Sequence, residues 1–413
     1  MNIIRIFEYE LSDYKIILNS CCSANEKNFA YCLRYIIFTK FGYEMEIVDD
    51  DSSDHCCEVL VGHTLRTTVS ADTNFFAVCC ESQKLQFVAN DMLGYEAMYN
   101  YLVNDFCEKI GAENGLHCEF SYKGTYPMSS IDGTELAVKS YGDVRVMIYN
   151  CYGYGGKAGE PCVRQPLQKE MIKTYAPTVI GLQETKPSYL EGIGPIMNEL
   201  GYSWVDTKAK SANCTSMYYR GDKVICIEGG YHLFSGPNNS NTKSVTWGVF
   251  RDLGSNKLFA VMSTHFMWGD PAYSKEVIAQ TRISNATEYA AVKDMILEKY
   301  PNIPIIGGGD MNCEISGIPH GILKDSNLVH AWDVAENRND FSSHLGYANY
   351  DPIHMVYTQW NRVEDKPYLQ SIDHVYVTPN TNVKTFYVAS DLYCRWTSDH
   401  MPLLIEIDLD SQD

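Results

Sequence analysis

Three features are scarce or absent in this sequence, and each absence excludes a class of protein. No run of roughly 18 uncharged apolar residues is present, which is the length that a membrane-spanning helix requires. There is no Cys-x-x-Cys pair and no tandem of zinc-finger spacing, although the chain has 15 cysteines. Basic residues are outnumbered, with 33 Lys and Arg against 52 Asp and Glu and a formal net charge of −19. This balance disfavours a protein that binds nucleic acid through its phosphate backbone.

The cysteines and the first residues indicate the compartment. The vicinal pairs Cys21-Cys22, Cys56-Cys57 and Cys79-Cys80 and the odd total favour free, buried thiols in a reducing environment. Glu8 and Glu10 stand where a secretory signal has its apolar stretch. We therefore expect a cytoplasmic protein, or a secreted one if a signal peptide has been removed.

A length of 413 residues is too great for one ordinary core, so we expect two domains. Residues 1–135 alternate short apolar strands with helical spacing, for example over Asn25 to Phe41, which predicts a small α/β domain. Its segment from Glu58 to Arg66 resembles the N-terminal α/β accessory domain of some bacterial carbohydrate-active enzymes. That resemblance implies either glycan contact or a packing role. A stretch rich in Gly, Pro and Ser from Phe120 to Asp143 predicts a linker.

Residues 143–413 show a sequence pattern that differs from that of residues 1–135. Apolar, β-rich runs end repeatedly in polar residues, and a helix is predicted from Ala286 to Tyr300. Strands alternating with helices in this way predict two β-sheets packed face to face with helices outside. The polar residues at the strand ends are Asn150, Glu184, His265, Asp310, Asn312, Asp373, Asp399 and His400.

Hydrolysis of a phosphate ester needs residues of these types. Divalent cations that neutralise phosphate oxygens take oxygen ligands, and a histidine held by a carboxylate can deprotonate water. Each short motif alone also fits a turn or a helix cap. In Asp373-His374 neighbouring strand residues point to opposite faces, so we expect only Asp373 to face the site.

The strand ends carry six motifs, in the order Asn150, Gln183-Glu184, Ser263-Thr264-His265, Gly309-Asp310-Met311-Asn312, Ile372-Asp373-His374 and Ser398-Asp399-His400. This order resembles the signature of the endonuclease/exonuclease/phosphatase superfamily, which includes pancreatic DNase. The resemblance spans about 143 to 410 and implies a four-layer α/β sandwich, two mixed β-sheets flanked by helices, preceded by the small α/β domain. It implies metal binding by Asn150, Glu184 and Asp399. It also implies catalytic roles for His265, Asp310, Asn312, Asp373 and His400, with in-line attack by water. Many relatives have Asn-Thr-His-Leu at His265 and Phe or Leu at Met311.

The family resemblance implies a phosphoric ester hydrolase that uses Mg²⁺ or Mn²⁺, with Ca²⁺ as a further option and zinc disfavoured by the oxygen donors. Tyr219, Arg220 and Trp268 are candidate substrate contacts, although each is also compatible with a packing role. The acidic charge favours a small or a sugar- or lipid-linked phosphate ester. Two alternatives remain open: a DNA or RNA nuclease of the same superfamily, and a member that binds a ligand or partner without turnover.

Overall fold

The computed structural model describes residues 3–52, 57–73, 75–125, 142–156, 158–207, 214–237, 242–346, 348–360 and 366–409. The chain divides into two compact units, the first of residues 1–128 and 350–359 and the second of residues 129–349 and 360–413. The predicted boundary at residue 135 and most of the predicted linker lie outside the described residues. Among the described helices none is long and apolar enough to cross a membrane. The cysteines of the described ranges are free thiols, as predicted, and Cys56 lies outside those ranges.

The first unit is a small α/β layer, in which a six-stranded sheet has the order β4-β3-β5-β7-β6-β9 and β1 pairs with β2 and β8. Helix α1 begins at a capping box, because the Ser23 hydroxyl accepts from the backbone N–H of Glu26 and the Glu26 carboxylate accepts from that of Ser23. Its strands are β1 (Arg5–Ile6), β2 (Tyr9–Glu10), β3 (Lys15–Leu18), β4 (Ile47–Asp49), β5 (Glu58–Val61), β6 (Phe75–Glu81), β7 (Lys84–Ala89), β8 (Gly115–Leu116) and β9 (Phe120–Thr125), and its helices are α1 (Ala24–Phe41), α2 (Met92–Tyr101) and α3 (Cys107–Glu113).

The rest of the chain supplies the longer elements. The strands are β10 (Val144–Asn150), β11 (Val179–Gln183), β12 (Tyr202–Trp204), β13 (Met217–Arg220), β14 (Val224–Leu233), β15 (Ser244–Asp252), β16 (Leu258–His265), β17 (Ile305–Asp310), β18 (Val329–His330), β19 (Asn337–Arg338), β20 (Ala348–Asp351), β21 (Val356–Trp360), β22 (Asp373–Val377), β23 (Asn382–Val388) and β24 (Leu403–Asp408). The helices are α4 (Pro161–Tyr175), α5 (Pro187–Glu199), α6 (Lys275–Lys299), α7 (Ile318–Asp325), α8 (Ala331–Val334) and α9 (Leu392–Thr397).

The hairpin β20–β21 differs from the sequence analysis, which placed it in the second domain. Residues 350–359 group with the first unit. There the ring of His354 stacks on Phe38 of α1, with centroids 5.6 Å apart, and its carbonyl accepts from the Arg34 guanidinium at 3.2 Å. The aromatic and cationic surface of α1 therefore binds a segment that is distant in sequence.

The second unit is a four-layer α/β sandwich, as predicted. One sheet has the order β12-β13-β11-β10-β24-β23-β19 and the other the order β14-β15-β16-β17-β22-β18, and both mix parallel and antiparallel pairs. The sheets meet closely where Gly181 of β11 faces Ser263 of β16, since a Cβ at Gly181 would come within 2.7 Å of the serine Cβ. Helices α4 and α5 cover the first sheet, and α6 packs on the second through Ala286, Tyr289 and neighbours.

Candidate active site

The predicted polar residues converge at one end of the sandwich. Strands β10, β11, β16 and β17 all finish there, the last two with His265 and Asp310 as register partners. Strand β22 runs antiparallel to β17 and therefore starts where β17 ends, which pairs Asp373 with Asp310. His400 precedes β24, which is antiparallel to β10. The alternation of directions thus brings the ends of some strands and the beginnings of others to the same edge.

His400 and Asp373 form a buried pair. The His400 Nδ1 lies 2.7 Å from Asp373 Oδ2, which also accepts a 2.7 Å hydrogen bond from the Ser343 hydroxyl. The Nε2 of His400 faces Asp310 Oδ2 at 3.8 Å. Burial opposes protonation of His400, but the surrounding carboxylates, Asp373 first, outweigh it and hold its pKa well above the usual range. His374 points to the opposite face of β22, as the strand alternation predicted, and its ring bonds to the Cys313 and Ser371 carbonyls.

Asp310 lies at the centre of the cluster. Its Oδ2 accepts from Asn150 Nδ2 at 3.0 Å and lies 3.3 Å from His265 Nε2, while its Oδ1 accepts from the backbone N–H of Asn312 at 2.9 Å. Burial opposes ionisation, but His265 and His400 outweigh it and hold the pKa of Asp310 well below its usual range. The group is therefore a carboxylate surrounded by donors.

Asn150 points its amide nitrogen at the carboxylates. The Nδ2 atom contacts Glu184 Oε1 at 3.2 Å in addition to Asp310, and its Oδ1 accepts from the Tyr152 backbone N–H at 3.1 Å. A metal ligand would present the oxygen. In this conformation Asn150 spaces the two carboxylates, whereas the sequence analysis predicted it as a metal ligand.

Glu184 has the features of a metal-binding residue. Its backbone is left-handed, with φ of 63°, which is uncommon for a residue other than glycine and costs about 1 kcal/mol or more. Asn312 shares this feature, with φ of 53°. The Glu184 Oε2 is buried and has no hydrogen-bond partner among the described residues. A buried carboxylate oxygen without a donor fits a site for a hard divalent cation.

Asp399 lies beside His400, with Oδ2 4.0 Å from its Nε2. His344, which the sequence analysis missed, lies 3.7 Å from the same Asp399 oxygen, and its ring is tilted against that of His400 with centroids 4.6 Å apart. Burial opposes ionisation of Asp399, yet His400 and His344 lower its pKa. His344, Asp399 and His400 could together hold a cation, as could Glu184 with His265 and Asp310.

Lys243 is a second site residue that the sequence analysis missed. It directly precedes β15, whose first residue pairs with His265, and its Nζ lies 2.5 Å from His265 Nε2. Burial lowers the pKa of Lys243 to about 8, against the opposing effect of Asp310 and Glu184. The His265 Nδ1 is buried and has no partner within the described ranges.

These groups line a cavity of about 660 Å³. Tyr152, Tyr154 and Trp268 are among its aromatic walls, and Trp268 is 43% exposed, which agrees with its predicted place at the mouth. The loop that carries the two tyrosines is fixed by Arg164, a fully buried guanidinium that donates to the carbonyls of Cys151, Tyr152, Tyr154, Gly159 and Thr397.

Tyr219 and Arg220 are not brought to this cavity. Strand β13 is antiparallel to β11, and Tyr219 pairs with Val179 at the end of β11 that is remote from Glu184. Arg220 instead forms an ion pair with Asp222 at 2.6 Å. Neither residue is in the lining of this cavity, because the direction of this strand is not evident from the sequence.

No protein-family model matches this chain, and no curated protein matches it. Solved structures do match over about two thirds of the chain. An endonuclease/exonuclease/phosphatase family protein from Bacteroides thetaiotaomicron is 19% identical, with a TM-score of 0.49, over 64% of this chain and 97% of that one. A mannosyl-6-phosphatase from the same organism is 20% identical, with a TM-score of 0.48, over 64% and 99%. The human Nocturnin catalytic domain is 16% identical, with a TM-score of 0.46, over 65% and 96%. The first of these proteins bears the name of the family that the motif order resembles.

Proposed function

We propose that the second unit is a divalent-metal-dependent phosphoesterase of the endonuclease/exonuclease/phosphatase type. The observation that carries this proposal is the connected set at the strand ends. The Asp373–His400 pair faces Asp310, Asp310 is bonded to Asn150, and Asn150 is bonded to Glu184, whose second oxygen has no partner among the described residues. A packing role explains neither the left-handed Glu184 nor that oxygen.

Glu184 and Asp399 are the residues that would hold Mg²⁺ or Mn²⁺, and Ca²⁺ would suit the same oxygen donors. A bound cation would neutralise charge on the phosphoryl oxygens as the ester bond breaks. The donor set fits it, since a buried carboxylate oxygen without a donor is stabilised by a cation.

The remaining residues position water and phosphate. Asp310 and the Nε2 of His400 face the same space, so the Asp310 carboxylate orients the attacking water and takes its proton, while His400 contacts the phosphate. Asp373 fixes the His400 ring through Nδ1, which sets the tautomer and stabilises the imidazolium. Asn312 is held by the Asp310 carboxylate and the Phe266 carbonyl and lines the cavity. The water oxygen bonds to phosphorus as the bond from phosphorus to the ester oxygen breaks, and no covalent enzyme intermediate forms. The base releases the proton of the water to solvent, and the departing ester oxygen takes a proton from solvent.

The substrate that we propose is a small phosphate ester, including a sugar- or lipid-linked one. The net charge of −19 repels long polyanions, and the reacting groups lie inside a cavity walled by aromatic side chains. A nuclease of the same family is the second candidate, and the exposed Trp268 at the mouth, which could stack on a base, favours it. For the 1–135 segment we propose an accessory domain with a packing or glycan-binding role.

The test is a substrate panel with purified protein. Plasmid DNA, RNA, sphingomyelin, inositol phosphates, sugar phosphates and p-nitrophenyl esters are incubated with Mg²⁺ or Mn²⁺, each with and without chelator. We expect metal-dependent hydrolysis of at least one small ester and its loss in His400→Ala. Turnover that survives His400→Ala or the chelator contradicts the mechanism. Preference for duplex DNA contradicts the substrate assignment, and binding of a panel member without turnover indicates the non-catalytic alternative.

A further inference from the structure

Lys243 has no part in the mechanism above, yet it lies inside the site. Its side chain is 95% buried, and it lines the same cavity as Glu184, Asp310 and His400. An ammonium group is costly to bury unless negative charge accompanies it. A lysine at this position is therefore either a structural counter-charge or a contact for an anionic ligand.

The contacts of Lys243 place it at the far end of a connected series. Its Nζ is 2.5 Å from His265 Nε2, which lies 3.3 Å from Asp310 Oδ2. Asp310 is bonded in turn to Asn150, which reaches the Glu184 carboxylate. The series folds back on itself, because ligand atoms of Glu184, His265 and Asp310 lie within 4.8 Å of one another. Lys243 therefore approaches the same space as the carboxylate with the unpartnered oxygen.

Phosphate monoesters and diesters differ in charge and in the number of free oxygens. A monoester near neutral pH carries roughly −1.5 to −2 charges and three oxygens without a substituent. A diester carries one charge and two such oxygens, so a third contact would meet an ester oxygen and its substituent. A fixed, buried ammonium beside the phosphate stabilises the dianion more than the monoanion.

We propose that Lys243 contacts a substituent-free oxygen of a terminal phosphate and so selects phosphate monoesters over diesters. This inference rests on the proposed function and adds a substrate class to it. In this arrangement the three oxygens are shared among the cation that Glu184 and Asp399 would hold, His400, and the pair formed by Lys243 and His265. The ester oxygen then points to the mouth, where Tyr154 and Trp268 face the leaving group.

The test compares p-nitrophenyl phosphate with methyl p-nitrophenyl phosphate, which have the same leaving group. We expect the wild type to prefer the monoester in kcat/KM. Lys243→Met should lower kcat/KM for the monoester by about 30- to 100-fold, the usual effect of losing a charged hydrogen bond, and for the diester by less than about 5-fold. Binding of inorganic phosphate, measured by calorimetry, should weaken by a similar factor. Lys243→Arg, which keeps the charge, should retain most of the preference.

The matched control is Lys293→Met, which removes another buried lysine whose Nζ bonds to the Ser326 carbonyl away from the cavity. It should leave the ratio of the two substrates unchanged. Equal losses for both esters in Lys243→Met, or a wild type that prefers the diester, overturn the inference while the proposed function stands. The ratio of the two kcat/KM values in the wild type, and the same ratio in Lys243→Arg, test the inference even if Lys243→Met does not fold. If the wild type hydrolyses neither these two esters nor any member of the substrate panel, the proposed function fails together with this inference.

Discussion

Three buried histidines behind the site predict that the second unit loses stability in mild acid. His320, His330 and His374 lie together on the far side of β22, with His330 Nε2 3.3 Å from His374 Nδ1 and His320 Nδ1 2.8 Å from the Tyr376 hydroxyl. Burial lowers the pKa of His320 to about 4 and that of His330 to about 3, and it holds the pKa of His374 well below the usual range. All three are neutral when the protein is folded at neutral pH.

The sign and size of the effect follow from proton linkage. An unfolded histidine binds a proton below about pH 6.5, whereas these folded histidines remain neutral until the pH is much lower. Stability is therefore fully present above pH 6.5 and is lost as the pH falls towards the folded pKa values. At pH 5 each of His320 and His330 lowers the free energy of unfolding by about 2 kcal/mol, so the two together lower it by roughly 4 kcal/mol. The whole free energy of unfolding of a typical domain is about 5 to 15 kcal/mol.

His330→Phe isolates one of these groups. The His330 Nδ1 has no hydrogen-bond partner among the described residues, and Tyr368, Phe386 and Tyr376 surround the ring, so a phenyl ring suits the site. Urea unfolding of the wild type and the variant at pH 8, 7, 6 and 5 gives the loss between pH 7 and pH 5. We expect that loss to be about 2 kcal/mol smaller in His330→Phe and unchanged in His117→Phe, which alters an exposed histidine. A wild type of constant stability over this range, or an unaltered slope in His330→Phe, refutes the reasoning.

Three further substitutions test the site. Glu184→Gln should lower turnover by at least about 100-fold. It should also abolish the stabilisation by Mg²⁺, which we expect to be about 2.7 kcal/mol in the wild type at an ion concentration of 100 times Kd. Thermal unfolding with and without the ion measures this stabilisation. Asp373→Asn should lower kcat by about 10²- to 10⁴-fold, because the His400 ring loses its carboxylate partner, while KM changes only a few-fold; a raised KM with unchanged kcat would contradict this role. Arg164→Met should destabilise the second unit by roughly 3 kcal/mol in chemical unfolding, since five carbonyl groups lose a charged donor, and a loss below about 1 kcal/mol would show that the loop does not depend on it.

The site residues could be found from sequence where a strand ends in a polar residue. Asn150, Glu184, His265 and Asp310 lie at the ends of buried apolar runs, and the two-residue period of a strand allows only one of Asp373 and His374 to face the site. The predicted helix from Ala286 to Tyr300 proved to begin at Lys275. Its first turns are largely exposed and lack the apolar spacing that reveals a helix.

Other features depend on pairing between distant segments. Lys243 reaches the site because β15 pairs with β16, and His344 because it forms an isolated antiparallel bridge with His400. Neither follows an apolar run, so the local pattern gives no signal. Tyr219 and Arg220 were misplaced for a related reason, since the direction of β13 is set by its partner strand. The grouping of residues 350–359 with the first unit likewise depends on tertiary contacts.

The central claim is that water, positioned by Asp310, attacks phosphorus with the help of a divalent cation. Hydrolysis of the best substrate in ¹⁸O-labelled water, followed by mass spectrometry of both products, tests it most directly. We expect one labelled oxygen in the phosphate product, none in the alcohol, and no reaction in chelator. Label in the alcohol, or hydrolysis that is unaffected by the chelator, would contradict this mechanism.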